Sequence, residues 1–381
     1  MCIRDSIGCA RNATEIERAV ELAATTFYSN NNANVAVGVK KFNIAQGGSF
    51  SEQDVVVIVD ETGSVHGACF LMDRLFYRGR NKVKGTFLTS ICISESSRGK
   101  GLSVPLMNYS ITEVERRGAA FAILVARRAA DYFYNKFNFW GLSQYSKINL
   151  KLADTCSVSE DHSFSLASES DLPEVSMMYG RTYSELYGAC ERSIEYWKYV
   201  LSKADKQGCN FIVRRTKNEI NGYVIFSGSE IYEFACTKGV SCFELLRNFG
   251  NHSMFKELIL HCSQEHPVLN EFHGVDFSLT QRQCDYGGHM VRIVNETILL
   301  SELKKEIQDE ISVLGVENHS EIQGDALIEV QKGIVDIRLA NSPYGYKNTC
   351  VLMGAEYLSV VSSRPSIYKP RSFNVPLFDQ C

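Results

Sequence analysis

The stretch Phe87-Leu88-Thr89-Ser90-Ile91-Cys92-Ile93, and the turn Ser97-Arg98-Gly99-Lys100-Gly101-Leu102-Ser103 that follows it, decide how the chain is read. The first seven residues are largely apolar or β-branched without polar alternation, which predicts a buried strand. Beyond the glycines, Leu102, Leu106, Met107, Ser110 and Val114 share one helical face, and Arg117-Gly118 ends it. The order is strand, glycine loop, helix. The first N–H groups of such a helix have no backbone partner and carry the positive end of its dipole. Gly99 and Gly101 leave the main chain bare to a close approach. Together these features predict an anion seat suited to a pyrophosphate.

Neither common nucleotide fingerprint fits this loop. The G-x-x-x-x-G-K-[ST] motif is absent, and Gly99-Lys100-Gly101 lacks the third glycine of G-x-G-x-x-G. Arg98-x-x-Gly101-x-Ser103 instead resembles the [RQ]-x-x-G-x-[GA] loop of the GNAT-fold N-acetyltransferases, with Ser103 replacing the usual Gly or Ala. The resemblance implies that Arg98, Gly99, Lys100, Gly101, Leu102 and Ser103 seat the pyrophosphate of acetyl-CoA. Further on, Phe121-Ala122-Ile123-Leu124-Val125 reads as a second buried strand, and Ala129 to Lys136 as a short helix. Phe133-Tyr134-Asn135-Lys136-Phe137-Asn138-Phe139 is similar to the family's F-Y-x-[KR]-x-G-F segment, with Asn138 replacing Gly. Both residues tolerate a left-handed backbone. By resemblance, Tyr134 is the general acid that protonates the departing thiolate. Backbone N–H groups of the splayed strand Ile91-Cys92-Ile93 are expected to hydrogen-bond the pantetheine amides and the thioester carbonyl.

Composition bounds the rest. At 381 residues two or three domains are expected, and 45% hydrophobic with 22% charged residues describes a soluble globular protein. A net charge of -4 and no dense Lys/Arg run argue against a nucleic-acid partner. No apolar run approaches a membrane span. Thirteen cysteines without a C-x-x-C motif point to a reduced, cytoplasmic protein. Residues 1–6 lack the apolar core of a signal peptide and are set aside as a possible remnant.

In chain order, Ile7 to Ala10 reads as a strand and Ala13 to Phe27 as a helix capped by Asn12. Asn30 to Gly48 reads as a loop-rich border of a substrate site. Asp54 to Asp60 and Val65 to Met72 form a hairpin through Glu61-Thr62-Gly63, and Tyr145 to Leu152 closes the first unit. After a polar linker, Asp154 to His162, the same order begins again. Phe211-Ile212-Val213 and Ile220-Asn221-Gly222-Tyr223 repeat the first hairpin, with Asn221-Gly222 standing where His66-Gly67 stands. The second unit has no R-x-x-G-x-[GA] loop and is expected to be catalytically empty. From Met290 a strand, a helix with Leu300, Leu303, Ile307 and Ile311 inward, and a hairpin over Lys332-Gly333 make a third part.

This layout resembles the enhanced-intracellular-survival type of acetyltransferase. The expected fold class is α/β (α+β): tandem GNAT-like mixed sheets flanked by helices, plus a C-terminal sterol-carrier-like domain. The boundaries are 7–152 for the catalytic unit, 163–289 for the degenerate unit and 290–381 for the last. The resemblance implies transfer from acetyl-CoA to a primary amine of a small molecule, amino sugar or peptide, in an enzyme that forms oligomers. It also implies that the terminal carboxylate, here on Cys381, is the first candidate base. Glu95, just past the strand, is the second. The cluster His252, His261, Cys262, His266 and His273 matches no zinc spacing, so no metal is expected. The alternative function is a non-catalytic acyl-CoA or lipid-like ligand-binding protein on the same scaffold.

Overall fold

The first helix, α1 (Ala13–Phe27), starts where its cap dictates: the Glu15 N–H donates to the Asn12 side chain at 3.0 Å. Ala19, Val20 and Ala23 are buried along its inner face. The computed structural model describes residues 6–28, 32–48, 50–78, 81–126, 130–141, 144–152, 162–263, 265–283, 288–323 and 326–339, with Met353 and Asp379. The strand β1 (Ser6–Cys9) precedes α1, and α2 (Ala33–Ala45) follows it. Next come β2 (Val55–Val59), β3 (Val65–Arg78), β4 (Asn81–Ile93), α3 (Ser103–Arg116), β5 (Phe121–Val125), α4 (Asp131–Asn135) and β6 (Trp140–Gly141). A second series runs β7 (Gln144–Lys151), β8 (His162–Leu166), α5 (Leu172–Tyr183), α6 (Ile194–Lys206), β9 (Asn210–Thr216) and β10 (Glu219–Ser227). It continues with β11 (Glu230–Cys236), α7 (Cys242–His252), β12 (Glu257–His261), β13 (Phe277–Gln283) and β14 (His289–Ile293). The last elements are α8 (Glu296–Leu314), β15 (Asn318–Gln323), β16 (Ala326–Gln331) and β17 (Ile334–Leu339).

The architecture is mixed α/β, with two seven-stranded sheets flanked by helices. Their strand orders are β1-β2-β3-β4-β5-β14-β6 and β13-β7-β12-β11-β10-β9-β8. Each sheet has one parallel pair at the matching place, β4 with β5 and β11 with β12. The internal repeat is visible in detail. The register of β3 slips at His66 against β2, and that of β10 slips at Asn221 against β9. The two bulges therefore fall at the two positions that the sequence pairs.

Two expectations about boundaries are corrected. The strand expected to close the first unit is β7, and it pairs with β12 and β13 in the second sheet. The strand assigned to the third part is β14, and it lies between β5 and β6 in the first sheet. Each unit thus gives its seventh strand to the other, so cuts at 152 and 289 pass through shared sheets. The burial pattern accounts for β14's position: Met290 packs with the α3-side core, whereas Val291 and Ile293 pack on the opposite face under α8. A strand buried on both faces fits only inside a sheet. A third correction concerns residues 33–45, which form a helix where a loop was expected. Its entry is capped by Asn32, which accepts from Asn34 N–H at 3.0 Å. The buried stripe is Ala36, Lys40 and Ile44, and the lysine hides the apolar period.

The face of the first sheet opposite α3 is covered by α8, whose Leu299, Leu303, Ile307 and Ile311 pack with Phe76, Phe87 and Phe121. The strands β15, β16 and β17 form an antiparallel sheet that shares this core. The sterol-carrier-like expectation covers 290–381, and most of 340–381 lies outside the described residues.

A buried charge cluster ties residue 379 to the second unit. The guanidinium of Arg192 forks onto Glu233 at 2.8 and 2.7 Å and reaches Asp379 at 2.8 Å. Tyr223 donates to Glu233 at 2.9 Å and Tyr179 to Asp379 at 3.2 Å. Burial outweighs the neighbouring guanidinium and raises the Glu233 carboxyl above its ordinary pKa. Replacing Arg192 by Met leaves two desolvated carboxylates and should cost about 3–5 kcal/mol near pH 7. The loss should shrink towards about pH 4, where protonation neutralises Glu233. Urea denaturation at the two pH values measures both effects.

Candidate active site

A fork in the first sheet sets the geometry. Pairing between β4 and β5 covers Gly85 to Phe87 against Phe121 to Ile123, and then stops. At Ser90 the φ angle is 55°, and three steps of β4 there oppose two of β3. This bulge bends β4 away from β5, so the edge of β4 beyond Phe87 has no strand partner among the described residues. A cavity of about 910 Å³ opens there, lined by Phe87 to Ile91, Val125, Ala130 and Tyr134 on the first unit's side.

Tyr134 lies on α4 between the rings of Phe133 and Phe139, with centroids at 5.2 and 6.3 Å. The backbone turns back after it through Asn138, whose φ of 58° is the left-handed conformation expected of that position. Burial, with a smaller contribution from Cys69, pushes the phenol up to about 12. The group keeps its proton at every physiological pH. Cys92 is buried on β4, and its thiol is pushed up to about 12 by the same desolvation, so it behaves as packing and not as a nucleophile.

At the end of β4 the loop has the predicted form. Arg98, Gly99, Lys100 and Gly101 are exposed, and both glycines take φ 78° with open space where a Cβ would stand. Among the described residues, the N–H groups of Gly99, Gly101, Leu102 and Ser103 find no main-chain acceptor. Pro105, in the first turn of α3, has no N–H to satisfy. Four amides without a main-chain acceptor thus stand at the positive end of a 14-residue helix.

The sequence reading missed the group that braces this loop. His66 sits at the β3 bulge, with Nε2 2.8 Å from Asp60 and Nδ1 3.1 Å from the hydroxyl of Ser97. Its carbonyl accepts from Ser94 N–H at 2.8 Å. Hydrogen bonds from Thr62 and then His66 hold the Asp60 carboxyl well below the usual carboxylate range. The local repeat with Asn221-Gly222 was the only signal for His66. Glu95 is exposed beside the loop and does not line the cavity. Cys381 lies outside the described residues. Of the histidine cluster, His261 pairs with Glu230 at 3.0 Å, and buried His266 accepts from Val268 N–H at 3.2 Å. No group of three potential metal ligands converges among the described residues.

The corresponding place in the second unit is filled by the protein itself. Glu271 puts its carboxylate on the start of α7, accepting from Cys242 N–H at 3.3 Å, Phe243 N–H at 2.9 Å and the Ser241 hydroxyl at 2.5 Å. Val268, just before it, is buried in the same hydrophobic cluster as Phe234 and Leu260. An internal anion therefore occupies the second helix N-terminus.

The sequence model of the acetyltransferase (GNAT) domain matches residues 10–142. No curated protein sequence matches the chain. Among solved structures, a GCN5-related N-acetyltransferase from Anabaena variabilis is similar at 12% identity and a TM-score of 0.61, covering 89% of this chain and 86% of that one. A probable N-acyltransferase from Enterococcus faecalis, of unknown function, aligns at 14% identity and TM-score 0.62, over 89% and 86%. Eis1 from Mycobacterium abscessus aligns at 14% and TM-score 0.56, over 88% and 84%. At such identities the likeness is one of fold, and it extends over both large sheets.

If the bare amides form an anion seat, inorganic pyrophosphate should bind there. Gly101→Ala, forced to keep a positive φ at a cost of about 1–2 kcal/mol, should weaken binding by about tenfold. Calorimetric titration checks this, and an unchanged affinity would place the anion elsewhere.

Proposed function

We propose that the chain is an acetyl-CoA-dependent N-acetyltransferase acting on a primary amine. The observation that carries this reading is the contrast between the forks. One is open, with a bare-amide loop at one end and a protonated phenol inside, and in the other unit Glu271 already occupies the matching helix N-terminus. The amides of Gly99, Gly101, Leu102 and Ser103 would hold the diphosphate, and Arg98 and Lys100 would add charge at its rim. The free edge of β4 at Ile91, Cys92 and Ile93 would pair with the pantetheine amides as a missing strand would. This alignment leads the thioester to Tyr134.

Holding both reactants together supplies much of the acceleration. The neutral amine attacks the thioester carbonyl, the C–N bond forms and the C–S bond breaks. Tyr134 gives its proton to the departing sulfur, and the proton released by the amine passes to water and restores the phenol. Backbone N–H groups of β4 oppose the charge that develops on the carbonyl oxygen. The cytoplasm suits such an enzyme, since free thiols persist there.

Tyr134→Phe should lower kcat by about 100-fold while the Kd for coenzyme A changes by less than about twofold. Thiol release and calorimetry read the two quantities, and an unchanged kcat would remove Tyr134 from the chemistry. The pH profile has a definite sign. Activity rises with pH as the acceptor ammonium loses its proton. A phenol pushed up to about 12 stays protonated, so no basic fall caused by Tyr134 should appear below about pH 10. A basic limb near neutrality that disappears in Tyr134→Phe would contradict the assigned state.

A further inference from the structure

The strand-to-helix connection of the second unit carries a chemistry that acyl transfer does not use. Across the sheet, Cys236 faces Gly222 as Ile93 faces Gly67, so the last residue of β11 stands where the last residue of β4 stands. The next N–H donates back in both units, Ser94 to the His66 carbonyl at 2.8 Å and Thr237 to the Asn221 carbonyl at 3.0 Å. From there the two units diverge. Residues 94–102 separate β4 from α3, whereas 237–241 are all that separate β11 from α7. The shorter connection folds the first residue of the helix, Cys242, back onto the last residue of the strand. Their sulfurs lie 3.1 Å apart.

Both are free thiols, and both are held in place. Cys236 Sγ donates to the Val240 carbonyl at 3.0 Å, and the Cys242 N–H donates to Glu271 at 3.3 Å. Cys236 is 8% exposed and Cys242 5%, while Lys238 and Gly239, in the turn that joins them, are exposed. A disulfide bond is about 2.0 Å long, so the two sulfurs need to close by about 1 Å to form one. The hydrogen bond from Cys242 lowers the Cys236 thiol below its ordinary pKa, which favours the nucleophilic thiolate. Burial raises the thiols of Cys9, Cys69, Cys92, Cys209 and Cys262 instead.

We propose that Cys236 and Cys242 are a reversible redox site, closed to a disulfide by hydrogen peroxide and reopened by a dithiol. The Cys236 thiolate attacks one peroxide oxygen, the S–O bond forms and the O–O bond breaks. The hydroxide released takes up the proton that the thiol gave up. The Cys242 sulfur then attacks the sulfenic sulfur, the S–S bond forms and the S–O bond breaks, and the departing hydroxide leaves as water with the Cys242 proton. Two thiols lose two electrons and two protons, and one peroxide becomes two waters. The bridge ties the end of β11 to the start of α7. This chemistry is independent of acyl transfer.

The test uses the full chain, treated with hydrogen peroxide, alkylated in denaturant and digested with trypsin without reductant. Trypsin cuts after Lys238, between the two cysteines. A bridge therefore holds the peptide ending at Lys238 to the one beginning at Gly239 until a dithiol is added, and mass spectrometry reads the linked pair. It should form at least about tenfold faster than any oxidised product of Cys9, Cys69, Cys92, Cys209 or Cys262, and dithiothreitol should release it completely. Cys242→Ser should give no link and leave Cys236 as a sulfenic acid that dimedone labels. Should that variant not fold, the wild-type peptide map decides by itself. Cys236 and Cys242 both still alkylated once the other named cysteines are oxidised would overturn the proposal. So would a product that dithiothreitol leaves unreversed, or an unlabelled Cys236 in folded Cys242→Ser.

Discussion

The exchange of seventh strands constrains everything else in the molecule. With β14 held between β5 and β6, and β7 between β12 and β13, neither sheet is complete without a strand from the other unit. Each exchanged strand is hydrogen-bonded on both edges, so the units cannot separate without unpairing two central strands. That rigidity has a use. It sets α6 of the second unit across from the β4–β5 fork of the first, and the cavity takes its walls from both. A loosely linked pair of domains would leave the fork open to bulk water, where positioned donors count for little.

Two copies of one supersecondary plan therefore play different parts, and the difference lies in a few atoms. Both units present a helix N-terminus after the strand that precedes the fork. In the first, Gly99 and Gly101 leave the amides bare, and the turn before them is fixed by Ser97 on His66. In the second, Ser241 caps the helix and Glu271 supplies the negative charge that the dipole favours. An internal carboxylate is always at hand, so an external anion would have to displace it and then bury it elsewhere. The second unit keeps the stability of a satisfied helix end and loses the binding site.

What the sequence made legible follows from the range of the interactions. The run Phe121–Val125, the helix beginning at Ser103 and the left-handed Asn138 are local matters of period and backbone chemistry, and they stand where they were expected. The repeat was readable because His66-Gly67 and Asn221-Gly222 occupy like positions. Strand partnership was not readable. β7 alternates buried Ile148 and Leu150 with Lys147, Asn149 and Lys151, a pattern that suits either sheet equally. The choice between them is made by contacts more than a hundred residues away in sequence. Glu271 was invisible for the same reason, since nothing near it marks a cap for residues 241–243.

The missed helix α2 shows a second kind of failure, and it is the more informative one. Its buried positions Ala36, Lys40 and Ile44 keep helical spacing, and only the charge at the centre conceals it. A scan for apolar period reads a lysine as solvent-facing, because leaving its ammonium in water is far cheaper than burying it. The same holds for Lys203, which lies on the inner face of α6 next to Val200 and Ala204. Both departures from pattern fall on the wall of one cavity. Where a sequence breaks its own local rule on a buried face, the interaction that satisfies the buried group comes from elsewhere in the chain, out of reach of a local scan. Both lysines line the cavity beside the open fork, one from each unit, so only the assembled sheets account for their burial.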